Sequence, residues 1–217
     1  MLRILPTLHD LDLPVLAITY RNDEGTLPSE SGRYGWGYPE WRDVQAALEF
    51  ADLRGADDFV LMGSSMGGAI TATYLNEAHL EAEDHLVDRV RAVVWDSPGL
   101  DLEAVVDSAA ADQGVPGFIS AAAQAISRVR FDVDWNALDQ VERAAEFDPT
   151  LPILLMHGTL DDTVPVESSD GFAAALPTVR YERFDGADHM YPWNTDPARY
   201  EAVVEEFLGS VLGDASG

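Results

Sequence analysis

Three short stretches carry side chains suited to nucleophilic chemistry on a carbonyl. The first is Val60-Leu61-Met62-Gly63-Ser64-Ser65-Met66-Gly67-Gly68-Ala69, a Gly-x-Ser-x-Gly pattern centred on Ser65. A serine hydroxyl is a weak nucleophile until a base takes its proton, and that base needs an acid to hold its tautomer. The second stretch, Ile153 to Pro165, holds His157, Asp161 and Asp162, and the third, Phe184 to Met190, holds Asp188 and His189. Asp96, in Trp95-Asp96-Ser97-Pro98, is a further acid candidate. His79 and His85 lie in the acidic stretch from Glu77 to Asp88, where no His-Glu-x-x-His spacing exists, so no metal site is expected there. His9 reads as a surface residue. Tyr34, Trp36 and Tyr38 alternate with Gly35 and Gly37, as residues lining a pocket or anchoring a loop would.

The elements that must position these residues follow from hydrophobic pattern. Five apolar runs read as strands: Leu13 to Tyr20, Asp58 to Gly63, Val90 to Trp95, Ile153 to His157 and Val179 to Phe184. Most are nearly continuous in apolar residues, as suits strands buried on both faces of a parallel sheet. The Val179 run alternates and reads as an edge. Helical spacing covers Glu40 to Leu53, Met66 to Leu75 and Asp196 to Leu212, the last with Asp196 as N-cap and Pro197 in the first turn. Strands alternating with helices predict an α/β fold, a mostly parallel sheet flanked by helices. Each candidate acid or base then follows the carboxyl end of a strand, where open α/β sheets place their sites.

One stretch breaks the alternation. From Pro98 to about Phe147 there are helical patterns, Leu102 to Ala111 and Phe118 to Val129, and no convincing strand. Residues 98–147 therefore read as a small helical cap inserted into a single domain spanning 1–217. Two ordinary crossover helices with long loops are the other reading.

Composition narrows the classes. A chain of 217 residues with 47% hydrophobic content builds an ordinary core. Without cysteine, thiolate catalysis, disulfides and Cys-ligated zinc are excluded. The charge is unusual: 39 acidic residues face 13 basic ones, all arginine, for a net −26. Such a surface disfavours nucleic acid and anionic membranes. It fits a salt-rich interior or a coding bias toward arginine. No run of 18 apolar residues exists, and Met1 to Pro6 lacks the features of a signal peptide, so a cytoplasmic location without membrane insertion is expected.

Taken together, Gly63-Ser64-Ser65-Met66-Gly67-Gly68, the segment His157-Gly158-x-x-Asp161-x-x-Val164-Pro165, and Gly186-Ala187-Asp188-His189 resemble the α/β-hydrolase superfamily. The likeness is to the small serine esterases and prolyl-oligopeptidase-like hydrolases, in the chain order Ser, Asp, His. The resemblance runs from about Leu13 to Leu212. It implies Ser65 as nucleophile, Asp161 as the acid, His189 as general base and the backbone N–H of Met66 as one oxyanion donor. It implies no metal and no organic cofactor. The implied partner is a small ester substrate, with a peptide or amide as the alternative within the class. Asp162 and Asp96 remain competitors for the acid, and Asp188 reads as a loop residue. Ser64 shapes the turn, and His157 packs or hydrogen-bonds rather than reacts.

The sequence departs from the superfamily at its start. The usual first strands, and the His-Gly-type loop that supplies a second oxyanion donor, have no counterpart here. Leu2 to Leu11 resembles the helix after that loop, and Leu13 to Tyr20 the next strand. The strand that normally separates the Leu13 and Asp58 runs is missing. Those two must pair directly, a partner must fill the gap, or the sheet is incomplete. A truncated, non-catalytic hydrolase-like domain is accordingly the rival to an active enzyme.

Overall fold

The computed structural model describes residues 2–80, 85–131 and 133–213. Its centre is a sheet of four parallel strands in the order β1-β2-β3-β4, namely β1 (Phe59–Ser64), β2 (Val90–Asp96), β3 (Ile153–Gly158) and β4 (Val179–Phe184). Between β1 and β2 runs α3 (Met66–Ala78) and between β3 and β4 runs α6 (Val166–Ala175). Before the sheet come α1 (Leu5–Asp10) and α2 (Trp41–Leu53), and after it α7 (Pro192–Thr195) and α8 (Pro197–Gly213). The expected N-cap of α8 is present: the Arg199 N–H donates to Asp196 Oδ1 at 3.0 Å.

The period-2 alternation of the two central strands sorts their side chains into two cores. Val93, Trp95, Ile153 and Leu155 point to one face, where they meet Trp41, Val44 and Leu48 of α2, Ile70 and Leu75 of α3 and Phe172 of α6. Ala92, Val94, Leu154 and Met156 point to the other, against Leu8 of α1 and Tyr200, Val204 and Phe207 of α8. Every residue of β3 is buried, whereas β4 is mostly half-buried, as an edge strand with charged Arg180, Glu182 and Arg183 should be. Register aligns the carboxyl ends: Ser64 sits beside Asp96, Asp96 beside Met156 and Gly158 beside Phe184. Residues that follow these strands therefore emerge on one rim.

Between β2 and β3 lie α4 (Leu102–Asp112), α5 (Gly117–Phe131) and a short 3-10 turn at Glu142–Glu146. Among the described residues of this stretch the only β pairing is an isolated bridge from Asp101 to Asp139. Leu102, Val105, Trp135 and Leu138 form a small apolar cluster there, closed by Val164 from the loop after β3.

The expected first strand is corrected. Leu13 to Tyr20 forms no helix and joins no ladder, and the described residues offer the backbone N–H groups of residues 15–19 no backbone partner. Its composition suits a strand, but an apolar groove of about 480 Å³ lies where a neighbour would have to be. The groove is walled by Val15, Ala17 and Ile18 on one side and by Phe59, Val60 and Met62 of β1 on the other. Val15 and Leu16 are each 49% exposed. Of the three arrangements the sequence allowed, direct pairing of the Leu13 and Asp58 runs is the one the structure excludes.

Candidate active site

Ser65 is the single residue between β1 and α3, and it is bent into φ 49°, ψ −121°. A non-glycine residue held there is strained, and the strain lifts its side chain clear of the sheet edge. Backbone bonds pin the turn: the Ser65 N–H donates to the Asp96 carbonyl at 3.1 Å, and its carbonyl accepts from the Gly68 and Gly99 N–H groups. The tight packing falls at Gly63, where a Cβ would lie 2.5 Å from the Gly67 carbonyl oxygen, and at Gly68, where it would lie 2.5 Å from Pro98 Cβ. A Cβ on Gly67 would meet nothing within 4 Å, so that glycine of the pattern is not required by crowding at its own Cβ.

The three residues implied by the resemblance stand in one line. His189 Nε2 is 2.9 Å from Ser65 Oγ, and His189 Nδ1 is 2.8 Å from Asp161 Oδ2. They come from the ends of β1, β3 and β4, and the Asp161 side chain is wholly buried while His189 retains some exposure. Burial pushes the Asp161 carboxyl up, but hydrogen bonds from His157, His189 and the Val164 N–H outweigh it and hold its pKa below the ordinary carboxylate range. The Met66 N–H, at the positive end of α3, has no hydrogen-bond partner among the described residues and is available to an anion.

The competing candidates are placed elsewhere. Asp162 is exposed and, among the described residues, accepts only the Thr163 hydroxyl, at 3.2 Å. Asp188 caps its own turn through the His189 N–H. Asp96 is buried and bonded to Tyr200 and Ser97, not to a histidine, and burial raises its pKa. His9, His79 and His85 are exposed. His157 hydrogen-bonds, as expected, and one of its partners is Asp161 itself, at 3.0 Å. The His157–Asp161 spacing was legible in the sequence, yet nothing in it marked that contact. A second connection was also hidden: the Met190 N–H donates to Ser97 Oγ at 3.2 Å, anchoring the His189 loop to β2. Of the loop aromatics, Tyr34 and Tyr38 line a cavity of about 990 Å³ with Arg33, Arg130 and Leu138, and Trp36 does not. Buried Glu40 fixes that loop by accepting the Gly35 and Gly37 N–H groups.

Comparison with known proteins agrees on the architecture. No protein-family model matches the chain. A pimeloyl-[acyl-carrier protein] methyl ester esterase of Aromatoleum aromaticum is 31% identical over 77 residues, which is 36% of this chain and 28% of that protein. The chain thus matches about a quarter of the length of its curated relatives. An esterase from Pyrococcus furiosus superposes with a TM-score of 0.70 at 19% identity, over 97% of this chain and 76% of the other. A puromycin-hydrolyzing peptidase from Mycobacterium tuberculosis gives 0.61 at 22% identity, over 82% of this chain and 26% of the other. Four parallel strands flanked by helices, with these neighbours, define the α/β-hydrolase fold. Among the described residues no helix is long and apolar enough to cross a membrane.

Proposed function

We propose that the chain is a serine hydrolase that cleaves a small to medium carboxylic ester through an acyl-enzyme on Ser65. The observation that carries this reading is the unbroken contact from Asp161 Oδ2 through the His189 ring to Ser65 Oγ, with the serine held at a strained strand-to-helix turn. His189 Nε2 takes the hydroxyl proton as Oγ attacks the carbonyl carbon. Asp161 steadies the imidazolium through Nδ1–H, and the Met66 N–H faces the developing oxyanion. Collapse of the tetrahedral intermediate breaks the ester C–O bond, and His189 returns the proton to the departing alkoxide. Water, deprotonated by the same ring, then attacks the acyl-enzyme, and its collapse releases the acid and restores Ser65.

An ester is favoured because the Pyrococcus neighbour is an esterase and the Aromatoleum relative a methyl ester esterase. The peptidase neighbour keeps an amide as the second substrate class. The test is labelling of the full chain with a fluorophosphonate, together with hydrolysis of p-nitrophenyl esters of graded acyl length. Stoichiometric labelling that disappears in Ser65→Ala supports the assignment. An unlabelled, inactive chain would leave the non-catalytic reading in its place.

A further inference from the structure

Asp161 touches two histidines, and only one of them reaches Ser65. The other, His157, is fully buried at the end of β3, with Nδ1 2.7 Å from Ser169 Oγ on α6. Its Nε2 lies 3.0 Å from Asp161 Oδ2 and 3.1 Å from the Val164 carbonyl oxygen. Both neighbours of Nε2 are acceptors in this arrangement, which puts the ring hydrogen on Nε2. Nδ1 is then left to accept from the hydroxyl of Ser169, which is itself buried and has no other hydrogen bond among the described residues.

The count of donors on Asp161 is the second half of the argument. Oδ1 accepts the N–H groups of Thr163 at 3.0 Å and Val164 at 2.8 Å. Oδ2 accepts the two imidazoles, so about four lone-pair sites meet four donors. The carboxylate has no empty site into which it could turn.

We propose that Ser169 and His157 are positioning residues that act on the reaction through Asp161. This rests on the catalytic reading above. Ser169 sets the His157 tautomer, and His157 fills the remaining site on Oδ2. That fixes the direction in which the carboxylate presents itself to His189 and moderates the charge His189 feels. Without His157, a buried oxygen is left with one vacant site, the carboxylate gains freedom to pivot, and its charge falls more fully on the His189 imidazolium. Further acids lie near this pair. Asp162 and Asp188 lie with their carboxylates within 4.8 Å of Asp161, and buried Asp96 faces His157 from β2. None of them supplies a donor to replace the missing one.

The experiment compares His157→Leu, His157→Gln and Ser169→Ala in the full chain. His157→Leu should lower kcat by about tenfold or more at nearly constant KM, since misplacement by about 1 Å can cost 10²-fold. It should also move the acid limb of the kcat/KM profile upward by about half a unit or more, because a less shared carboxylate favours the imidazolium. His157→Gln retains a side-chain N–H and should recover most of both effects. Ser169→Ala should act in the same direction more weakly. It carries the test together with His157→Gln if His157→Leu does not fold. Nitrogen NMR of the unmodified chain, with the His157 signals assigned by their loss in His157→Gln, should find hydrogen on Nε2 and none on Nδ1. The low-field His189 Nδ1–H proton should shift in both His157 variants. These NMR readouts need no turnover, so they stand even if the chain is not an active hydrolase. Hydrogen on Nδ1 of His157, or identical acid limbs and kcat values in the Leu, Gln and unmodified chains, would overturn the proposal.

Discussion

The Tyr200 hydroxyl donates to Asp96 Oδ2 across 3.1 Å, tying the start of α8 to the carboxyl end of β2 in the interior of the protein. The other oxygen of Asp96 accepts from Ser97, whose Oγ accepts in turn from the Met190 N–H beside His189. Asp96 is thus bonded, through Ser97, to the loop that carries His189. Tyr200→Phe should cost about 1–3 kcal/mol by leaving a buried carboxylate short of a partner. Ester hydrolysis should stay within about tenfold of the parent in both Tyr200→Phe and Asp96→Asn. Thermal melts and steady-state kinetics on the two variants measure this, and a near-total loss of activity in Asp96→Asn would move the acid role to β2.

Ser65→Ala and His189→Ala should each abolish ester hydrolysis while leaving the fold intact. The double variant should lose little more, because residues acting as a unit are not additive. Asp161→Asn should lower kcat by about 10³–10⁴ through the wrong imidazole tautomer. Residual activity within about tenfold of the parent in Ser65→Ala would remove Ser65 from the mechanism.

Two buried carboxyls are shifted in opposite directions, and they pull on acid stability with opposite sign. Asp161 is lowered, so its contribution is complete above the unfolded value of about 3.9 and is lost as pH falls through its folded value. Asp96 is raised by burial, so the folded state holds its proton longer, and stability declines as pH rises from about 3.9 through the raised value. Melting midpoints from pH 3 to 8 should therefore fall less on the rising-pH side in Asp96→Asn than in the parent. They should fall less on acidification in Asp161→Asn. Unchanged slopes in both variants would dissociate these groups from the pH dependence.

The strained turn makes an unequal demand on its glycines. Gly63→Ala must push a methyl into the Gly67 backbone and should destabilise the protein and disable the site together. Gly67→Ala meets open space at a helical position and should be neutral or stabilising by up to about 1 kcal/mol. Chemical denaturation of the pair reads the difference directly.

Salt should raise the melting temperature. At a net −26 the surface repels itself, and the Debye length falls from about 10 Å at 0.1 M to about 3 Å at 1 M. A midpoint that stays flat in sodium chloride between these strengths would reject self-repulsion as a significant term. An uncharged osmolyte serves as the control for solvent effects on apolar burial.

The sheet and the catalytic candidates were legible because both rest on local signals. Runs such as Ile153 to His157 have nowhere to go but a doubly covered strand, and Ser65 sits between Gly63 and Gly67 as the single residue joining β1 to α3. Leu13 to Tyr20 has the same local signal and is not a strand, because pairing belongs to a neighbour rather than to the segment itself. The His157–Asp161 and Ser97–Met190 contacts were illegible for a related reason. Each ties a loop residue to the carboxyl end of a strand, and loop geometry follows from packing that periodicity does not encode.

The open outer edge of β1 has a consequence for the behaviour of many molecules at once. Together with the unpaired backbone of residues 15–19 it flanks an apolar trough, and an unpaired strand edge is a template on which a second chain can pair. The same excess of carboxylates that should destabilise each molecule should also oppose such pairing between copies. Screening relieves both. The buffer in which a single molecule is hardest to melt is then also the buffer in which a concentrated sample stops being monodisperse, and light scattering and melting temperature should rise together.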